Sequence, residues 1–452
     1  MKKILSFLLC LTIILSFTGC DKQYSDFPDL PDIGTLFKEH ITAPTETTTP
    51  LTETEPAIST KPNVTETEPT QTTEPIATES LMPLETQPTE PITTEPISSP
   101  DDIQTFIDKI CQEYGAVGIQ VAIVDNGEII GAYGSGWATV DAAPMTPNHK
   151  LRVASISKII IGIVAMQLQE NNIISLNSDI GPIWGVTARS PSYPDTPITI
   201  DSILTHTSTV TDYGNQCDMD YETVKGRLDY SFTGAKPGEI TNYYYNNYAF
   251  RLLGMTLELA ANKTLDQYLQ EGLFAQMGID AAFASGDIAD TDMLATLYWE
   301  SNGVARSLSY QRDIHGPAFP GGDGYHYSGG LTISALDLAK IMTLLVNDGS
   351  YAGQQLLSAE SVQQMEEYIP YRMYDGTYQG RPMVYAKNLY GREGIYFHTG
   401  SGWGVYNCFS YDPATGDGVI VLTNGASSGG TNSNGIYYVC SDINDYVYHL
   451  IA

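Results

Sequence analysis

Residues 41–100 contain no glycine and run as a biased repeat of Thr, Pro and Glu: "TETTTPLTETEP", "TETEPTQTTEP", "LETQPTEPITTEP". Such a stretch has no aromatic ring and too little large apolar surface to offset the entropy of ordering it. It is expected to be an extended, partly polyproline II tether. Whatever this chain packs must therefore come from residue 101 onward, where glycine returns and apolar periodicity begins.

Ahead of the tether, "MKKILSFLLCLTIILSFTGC" places two lysines before an apolar run too short to span a bilayer comfortably, the pattern of an export signal. Thr18-Gly19-Cys20 resembles the lipobox of bacterial lipoproteins, with Phe17 where that pattern usually has Leu. The expected organisation is a signal peptide over 1–19, a tether over 20–100 and one hydrolase domain over 101–452. Cys20 would carry the lipid that holds the chain at the outer face of a bacterial cytoplasmic membrane; an ordinary secretory signal cut nearby is the alternative. Formal charge is -31, from 22 Lys and Arg against 53 acids, so nucleic acid is not an expected partner.

"DDIQTFIDKICQEY" spaces Ile103, Phe106, Ile107 and Ile110 as one face of a helix. "VGIQVAIVDNGEIIGAYGSGWA" is two strands across an Asp-Asn-Gly turn, "VYNCFSYDPATGDGVIVLTN" is two more, and "GIYYVCSDINDYVYHLI" is a closing helix. Helical segments at 155–172, 246–262 and 334–347 lie between. This order predicts an α+β fold: an antiparallel sheet flanked by terminal helices, with an all-helical region inserted after about residue 152. Cys111, Cys217, Cys408 and Cys440 are spaced for neither zinc nor a dense disulfide framework, although a bridge such as Cys111 to Cys440 is allowed. The seven histidines show no metal spacing, and His206 is expected to be a structural hydrogen-bonder. No metal or cofactor is expected.

In "VASISKIIIGIV", residues 153–164, one lysine stands in an apolar run. Burying an ammonium is costly unless it is paired or neutral, so packing alone does not account for Lys158. Ser155 precedes it by three residues, one helical turn, on the same face. A serine at a helix N-terminus, beside a lysine depressed toward neutrality, can attack a carbonyl. A chance Ser-x-x-Lys is the competing explanation.

Two more triplets, within "TNYYYNNYAFRLLG" (241–254) and "YFHTGSGWG" (396–404), follow in order. With Ser155-Ile156-Ser157-Lys158, a Tyr-x-Asn and His398-Thr399-Gly400, residues 103–452 resemble the serine β-lactamase-like family: class C β-lactamases, penicillin-binding DD-peptidases and related esterases. Tyr-x-Asn can be read from Tyr244 or from Tyr245; the family's spacing to Leu252-Leu253-Gly254 selects Tyr245 and Asn247. The resemblance implies Ser155 as nucleophile, Lys158 as its base and Tyr245 as a proton relay with a lowered pKa. It implies Asn247 holding the substrate amide, His398 and Thr399 lining the opposite wall as an edge strand, and an oxyanion hole from the N–H groups of Ser155 and Ser401, next to Gly400. Two departures stand out. His206-Thr207-Ser208-Thr209 has Thr where the family has Gly, which predicts a locally different loop. His398 replaces the lysine of class C β-lactamases, and a partly charged histidine holds a carboxylate less firmly.

Gly425-Ala426-Ser427-Ser428-Gly429 also fits a nucleophile elbow, but too little chain follows for the rest of an α/β-hydrolase sheet. Gly-rich 319–330 is expected to be a rim or turn of the site. The expected function is that of a cell-envelope serine hydrolase, a D-alanyl-D-alanine carboxypeptidase or related D-amino-acid peptidase acting on peptidoglycan peptides. The alternatives are an esterase or β-lactamase of the same fold and a non-catalytic peptidoglycan-binding or sensing module.

Overall fold

The structure, a computed structural model, describes residues 100–211, 218–300, 303–374 and 376–452. The export signal, Cys20, the tether and Cys217 lie outside the described residues.

Helix α1 (Pro100–Glu113) leads into the hairpin β1 (Gly118–Asp125) and β2 (Glu128–Thr139), whose two-residue loop has φ of 50° at Asn126 and 78° at Gly127. Two successive positive φ values match the right-handed twist of a hairpin, which is why Asn-Gly marks this turn. After β3 (Ala143–Pro144) come α2 (Ser157–Glu170), α3 (Asn247–Ala261) and α4 (Ala335–Val346). The chain then adds β4 (Thr377–Gln379), β5 (Val384–Leu389), β6 (Arg392–Gly402), β7 (Val405–Asp412) and β8 (Asp417–Asn424), and finishes in α5 (Tyr438–Leu450). These strands form one antiparallel sheet in the order β4-β5-β6-β7-β8-β1-β2-β3. The expected α+β architecture is present, and the inserted helical region also carries short two-stranded ladders at 151–152 with 332–333 and at 297–298 with 304–306.

Strand side chains alternate between faces. Ile119, Val121 and Ile123 of β1, with Val419 and Val421 of β8, pack under Ile103 and Ile107 of α1 and Val439 and Ile443 of α5. The intervening Ala122, Val124, Ile420 and Leu422 enter the larger core with Leu338 and Ile341 of α4. Both faces are covered, so β8 reads as a continuous apolar run. The terminal helices are tied by stacking of Phe106 on Tyr446, 3.9 Å between ring centres, and by the Tyr114 hydroxyl donating to Asp442 at 2.5 Å.

Strand β5 stops pairing with β6 at Val384 opposite Phe397, whereas β7 follows β6 from Tyr396 to Gly402. Residues 398–402 therefore sit inside the sheet on one side and present an open edge on the other. The edge strand expected at His398–Thr399 is this half-edge. Cys111, Cys408 and Cys440 are buried free thiols, so the bridge from Cys111 to Cys440 is not formed. Residues 425–430 are loop, and the next helix starts at Tyr438, which removes the nucleophile elbow.

Candidate active site

The open edge of β6 faces the turn that carries Ser155. That turn is pinned from three sides: Val153 N–H donates to the Leu331 carbonyl at 2.9 Å, Leu331 N–H donates to Ser157 Oγ at 3.0 Å, and Asn407 Nδ2 of β7 donates to the Arg152 carbonyl at 3.1 Å. Ala154 has φ +50°, a left-handed conformation that costs an L-residue roughly 1–2 kcal/mol and is held by these contacts. Ser155 then sits in a short 3₁₀ turn, Ala154–Ile156, running into α2.

Helix α2 is buried from Ser157 to Met166, and this places the Lys158 side chain in the interior, 0% exposed. Lys158 Nζ lies 3.1 Å from Ser155 Oγ, 2.8 Å from Asn247 Oδ1 and 2.7 Å from the Ser328 carbonyl. Burial, reinforced by Arg251, holds its pKa well below the usual lysine range. A neutral amine has two N–H bonds and one lone pair. Asn247 Oδ1 and the Ser328 carbonyl are pure acceptors and take the two protons, which leaves the lone pair for the Ser155 hydroxyl.

Tyr245 lies beside this pair, with Lys158 Nζ 5.0 Å from its ring centre. The expected lowering of its pKa is not found: burial pushes the phenol up, and the neighbouring Ser155 hydroxyl offsets only part of that. Tyr245 is a protonated phenol at neutral pH. The two asparagines separate cleanly. Asn246 Oδ1 accepts from Ala249 N–H at 3.1 Å as the N-cap of α3, while Asn247 reaches Lys158, so the register from Tyr245 to Asn247 is the one facing the serine.

His206 is the structural hydrogen-bonder expected: its Nδ1 accepts from Asn246 N–H at 3.2 Å and its ring lies 4.4 Å from that of Tyr245. Thr209 has φ +62°, a left-handed backbone that glycine adopts freely, here held by a threonine. On β6, His398 is buried and its pKa falls to about 3, first through burial and then through Lys158. It is neutral rather than partly charged. Thr399 and Ser401 follow on the same open segment, with Gly400 between them: a Cβ at Gly400 would stand 2.2 Å from the Val153 carbonyl and 3.2 Å from the Ser155 nitrogen.

The structure thus brings together Ser155, Lys158, Tyr245, Asn247 and the segment from His398 to Ser401. It also adds residues that motif spacing does not single out. Ser328, in the Gly-rich rim, lends its carbonyl to Lys158 and its Oγ to Arg251 Nε at 3.1 Å, and Asn407 anchors the nucleophile turn. A polar side chain inside the apolar pattern of β7 is the one sequence signal for Asn407. Among the described residues no group of His, Cys, Asp and Glu is arranged to hold a metal.

This arrangement can carry out acyl transfer, and comparison with known proteins points the same way. The family model for Beta-lactamase matches residues 103–439. The chain is 27% identical over 199 residues to the D-alanyl-D-alanine-carboxypeptidase/endopeptidase AmpH of Escherichia coli K12, which covers 42% of this chain and 51% of that protein. The chain thus spans about half the length of the curated relatives it matches first. Among solved structures, the octameric penicillin-binding protein homologue from Pyrococcus abyssi superimposes with a TM-score of 0.61 at 24% identity, covering 77% of this chain and 76% of that one. The D-amino acid amidase of Ochrobactrum anthropi SV3 gives 0.59 at 20% identity, with 77% and 98% covered. From the family match and the site that the fold assembles, this chain is a serine hydrolase belonging to the beta-lactamase family.

Proposed function

We propose that Ser155 is the nucleophile of an acyl-transfer reaction on D-amino-acid peptides, with D-alanyl-D-alanine termini of peptidoglycan as the substrate class. The observation that carries this reading is the Lys158 amine, whose two acceptors leave its lone pair to Ser155 Oγ–H. Ser155 Oγ loses its proton to Nζ and attacks the scissile carbonyl. The resulting oxyanion is held by the N–H groups of Ser155 and Ser401. Removing one such donor typically costs about 10² to 10³ in rate. The protonated phenol of Tyr245, beside the Lys158 ammonium formed in the first step, passes a proton to the departing amine. Asn247 orients the substrate amide, and Thr399 lines the wall with His398. Water then releases the acyl-enzyme. The similarity to AmpH and to the amidase supports a peptide or amide substrate. Export and lipidation at Cys20 would place the enzyme at the envelope, where such peptides occur.

One observation favours a second reading, an esterase. Neutral His398 cannot attract a carboxylate on the leaving group by charge, which suits a neutral leaving group better than a free terminal D-alanine. Both readings are tested by incubating the purified protein with a fluorescent penicillin, with a D-Ala-D-Ala peptide and with a chromogenic ester, and following intact mass and product. A single acyl adduct is expected on the wild type and none on Ser155→Ala. Lys158→Ala should slow acylation by at least about 10². Equal adduct on Ser155→Ala overturns the mechanism; ester turnover with no action on the peptide favours the esterase.

A further inference from the structure

One face of α3 connects the reacting lysine to the Gly-rich rim. Asn247, Arg251, Gly254 and Glu258 recur every three to four residues, so they line a single stripe of the helix. Each meets the lysine or the segment that supports it. Asn247 Oδ1 accepts from Lys158 Nζ, and Arg251 Nε donates to Ser328 Oγ. A Cβ at Gly254 would stand 2.4 Å from the Tyr327 ring, so that ring lies directly against the helix backbone. Glycine is a poor helix former, and this close approach accounts for it here.

Glu258 ends the stripe and is 0% exposed. Its carboxylate gathers three donors from outside α3. Oε1 accepts from Leu265 N–H at 2.7 Å and from the Tyr327 hydroxyl, and Oε2 accepts from Gly321 N–H at 2.8 Å. Burial, then the charge of Glu258, pushes the Tyr327 phenol well above its ordinary range, so the phenol is the donor of the bond they share. The Tyr327 ring also meets Phe283 edge to face, 5.4 Å between centres.

One peptide bond joins Tyr327 to Ser328, whose carbonyl accepts from Lys158 Nζ at 2.7 Å. Downstream of Ser328, the Gly329 carbonyl accepts from Arg152 Nε and the Leu331 carbonyl from Val153 N–H, which ties that side to the nucleophile turn. Upstream, Tyr327 is set between Gly254, Phe283 and Glu258. A shift there tilts the Ser328 carbonyl, and with it the amine lone pair that faces Ser155 Oγ.

We propose that Glu258 is a positioning residue for the general base: its ionised carboxylate fixes Tyr327, and through it the Ser328 carbonyl that takes one proton of the Lys158 amine. The proposal rests on the acyl-transfer reading of Ser155 and adds a second ionisation to it. A proton on either oxygen of Glu258 removes the charge that strengthens its three bonds and places an O–H among donors. Burial raises this carboxyl to about 7 even against those bonds. Among the described residues, the titratable groups that act on it are Tyr327 from the rim and Asp266 from the helix Leu265–Glu271.

Glu258→Gln keeps the shape of the side chain and copies its neutral form. Acylation is followed with a 4-nitrophenyl ester by first-turnover release of 4-nitrophenol, read at its isosbestic wavelength. The ratio of wild-type to Glu258→Gln acylation rate should be near one at about pH 5.5 and about tenfold or more at about pH 8.5. Its midpoint should lie near pH 7. Ionisations of Lys158 and Asp266 are common to both proteins and drop out of the ratio. KM should change little, because Glu258 and Tyr327 are buried. Tyr327→Phe should slow acylation at about pH 8.5 by a similar factor and should not worsen Glu258→Gln in the double variant. Should Glu258→Gln fail to fold, the ratio of wild type to Tyr327→Phe is read over the same range and should rise in the same direction. A ratio that stays flat with pH, or Tyr327→Phe acylating at the wild-type rate, overturns the proposal and leaves Ser155 as the nucleophile. Ester turnover that survives Ser155→Ala, or no turnover by the wild type, overturns the acyl-enzyme reading and the proposal with it.

Discussion

Asn246 and Asn247 are neighbours with unrelated tasks. Asn246 caps α3 and donates Nδ2–H to the Val210 carbonyl at 2.6 Å, so Asn246→Ala should lower stability by about 1–3 kcal/mol, read by denaturant titration. Asn247→Ala should instead slow acylation by about 10² or more, measured by adduct formation, because the lysine loses one of the acceptors that orient its lone pair. Thr209 offers a test of the opposite sign. It holds φ +62° with a β-branched side chain whose Oγ1 is buried without a partner. Thr209→Gly removes the strain and the orphan hydroxyl, at the cost of a more flexible unfolded chain, and should raise stability by about 1 kcal/mol in thermal or chemical unfolding. At this scale the sequence is informative where one residue contradicts its surroundings, as Lys158 does. It is silent where a property depends on what surrounds a side chain. The pKa of Tyr245 is raised by its surroundings in the folded site, which no triplet records.

The helices and the Asn126-Gly127 hairpin are legible because their signals are local: apolar spacing every three to four residues and a turn that needs positive φ. The hairpin β5–β6 is less so, since it closes through Tyr390 and Gly391, with φ of 52° and 76°, and Tyr is a poor marker for such a turn. Nor does the sequence announce that β5 starts only at Val384, opposite Phe397, and leaves 398–402 open, although that late start makes room for substrate beside Ser155. The closeness of β6 to the nucleophile turn can be probed at Gly400. Gly400→Ala would drive a methyl into the Val153 carbonyl, so the strand must withdraw. Acylation should fall by at least about 10² if the Ser401 N–H holds the developing oxyanion as proposed, because that N–H moves with the strand, and rapid-quench or intact-mass kinetics would show it.

Across the whole molecule, buried ionisable groups couple stability to pH in opposing directions. Burial raises Glu258 and Asp266 to about 7, well above their unfolded values, so the folded state holds protons that the unfolded state has released, and stability from these groups is lost as pH rises through about 7. Histidines 326 and 398, lowered to about 3, act oppositely and contribute stability that grows as pH rises toward about 6.5. A single curve mixes the two, but a difference separates them. The stability of Asp266→Asn relative to wild type should increase from pH 5 to pH 8, by up to about 1.4 kcal/mol per pH unit, in paired denaturant titrations; a flat difference would mean that Asp266 ionises normally. Finally, β1 and β8 lie side by side with Val121 opposite Val421, although roughly 290 residues of chain separate them. At about 5–20 residues per second of synthesis, the first hairpin waits about 15 to 60 s for the strand that completes its sheet. For most of that interval Ser155 and Lys158 already exist, but the wall proposed to hold an oxyanion, β6, does not. A nascent or truncated chain is therefore chemically silent, and hydrolytic activity is in effect a certificate that the polypeptide has been read through to its last strands.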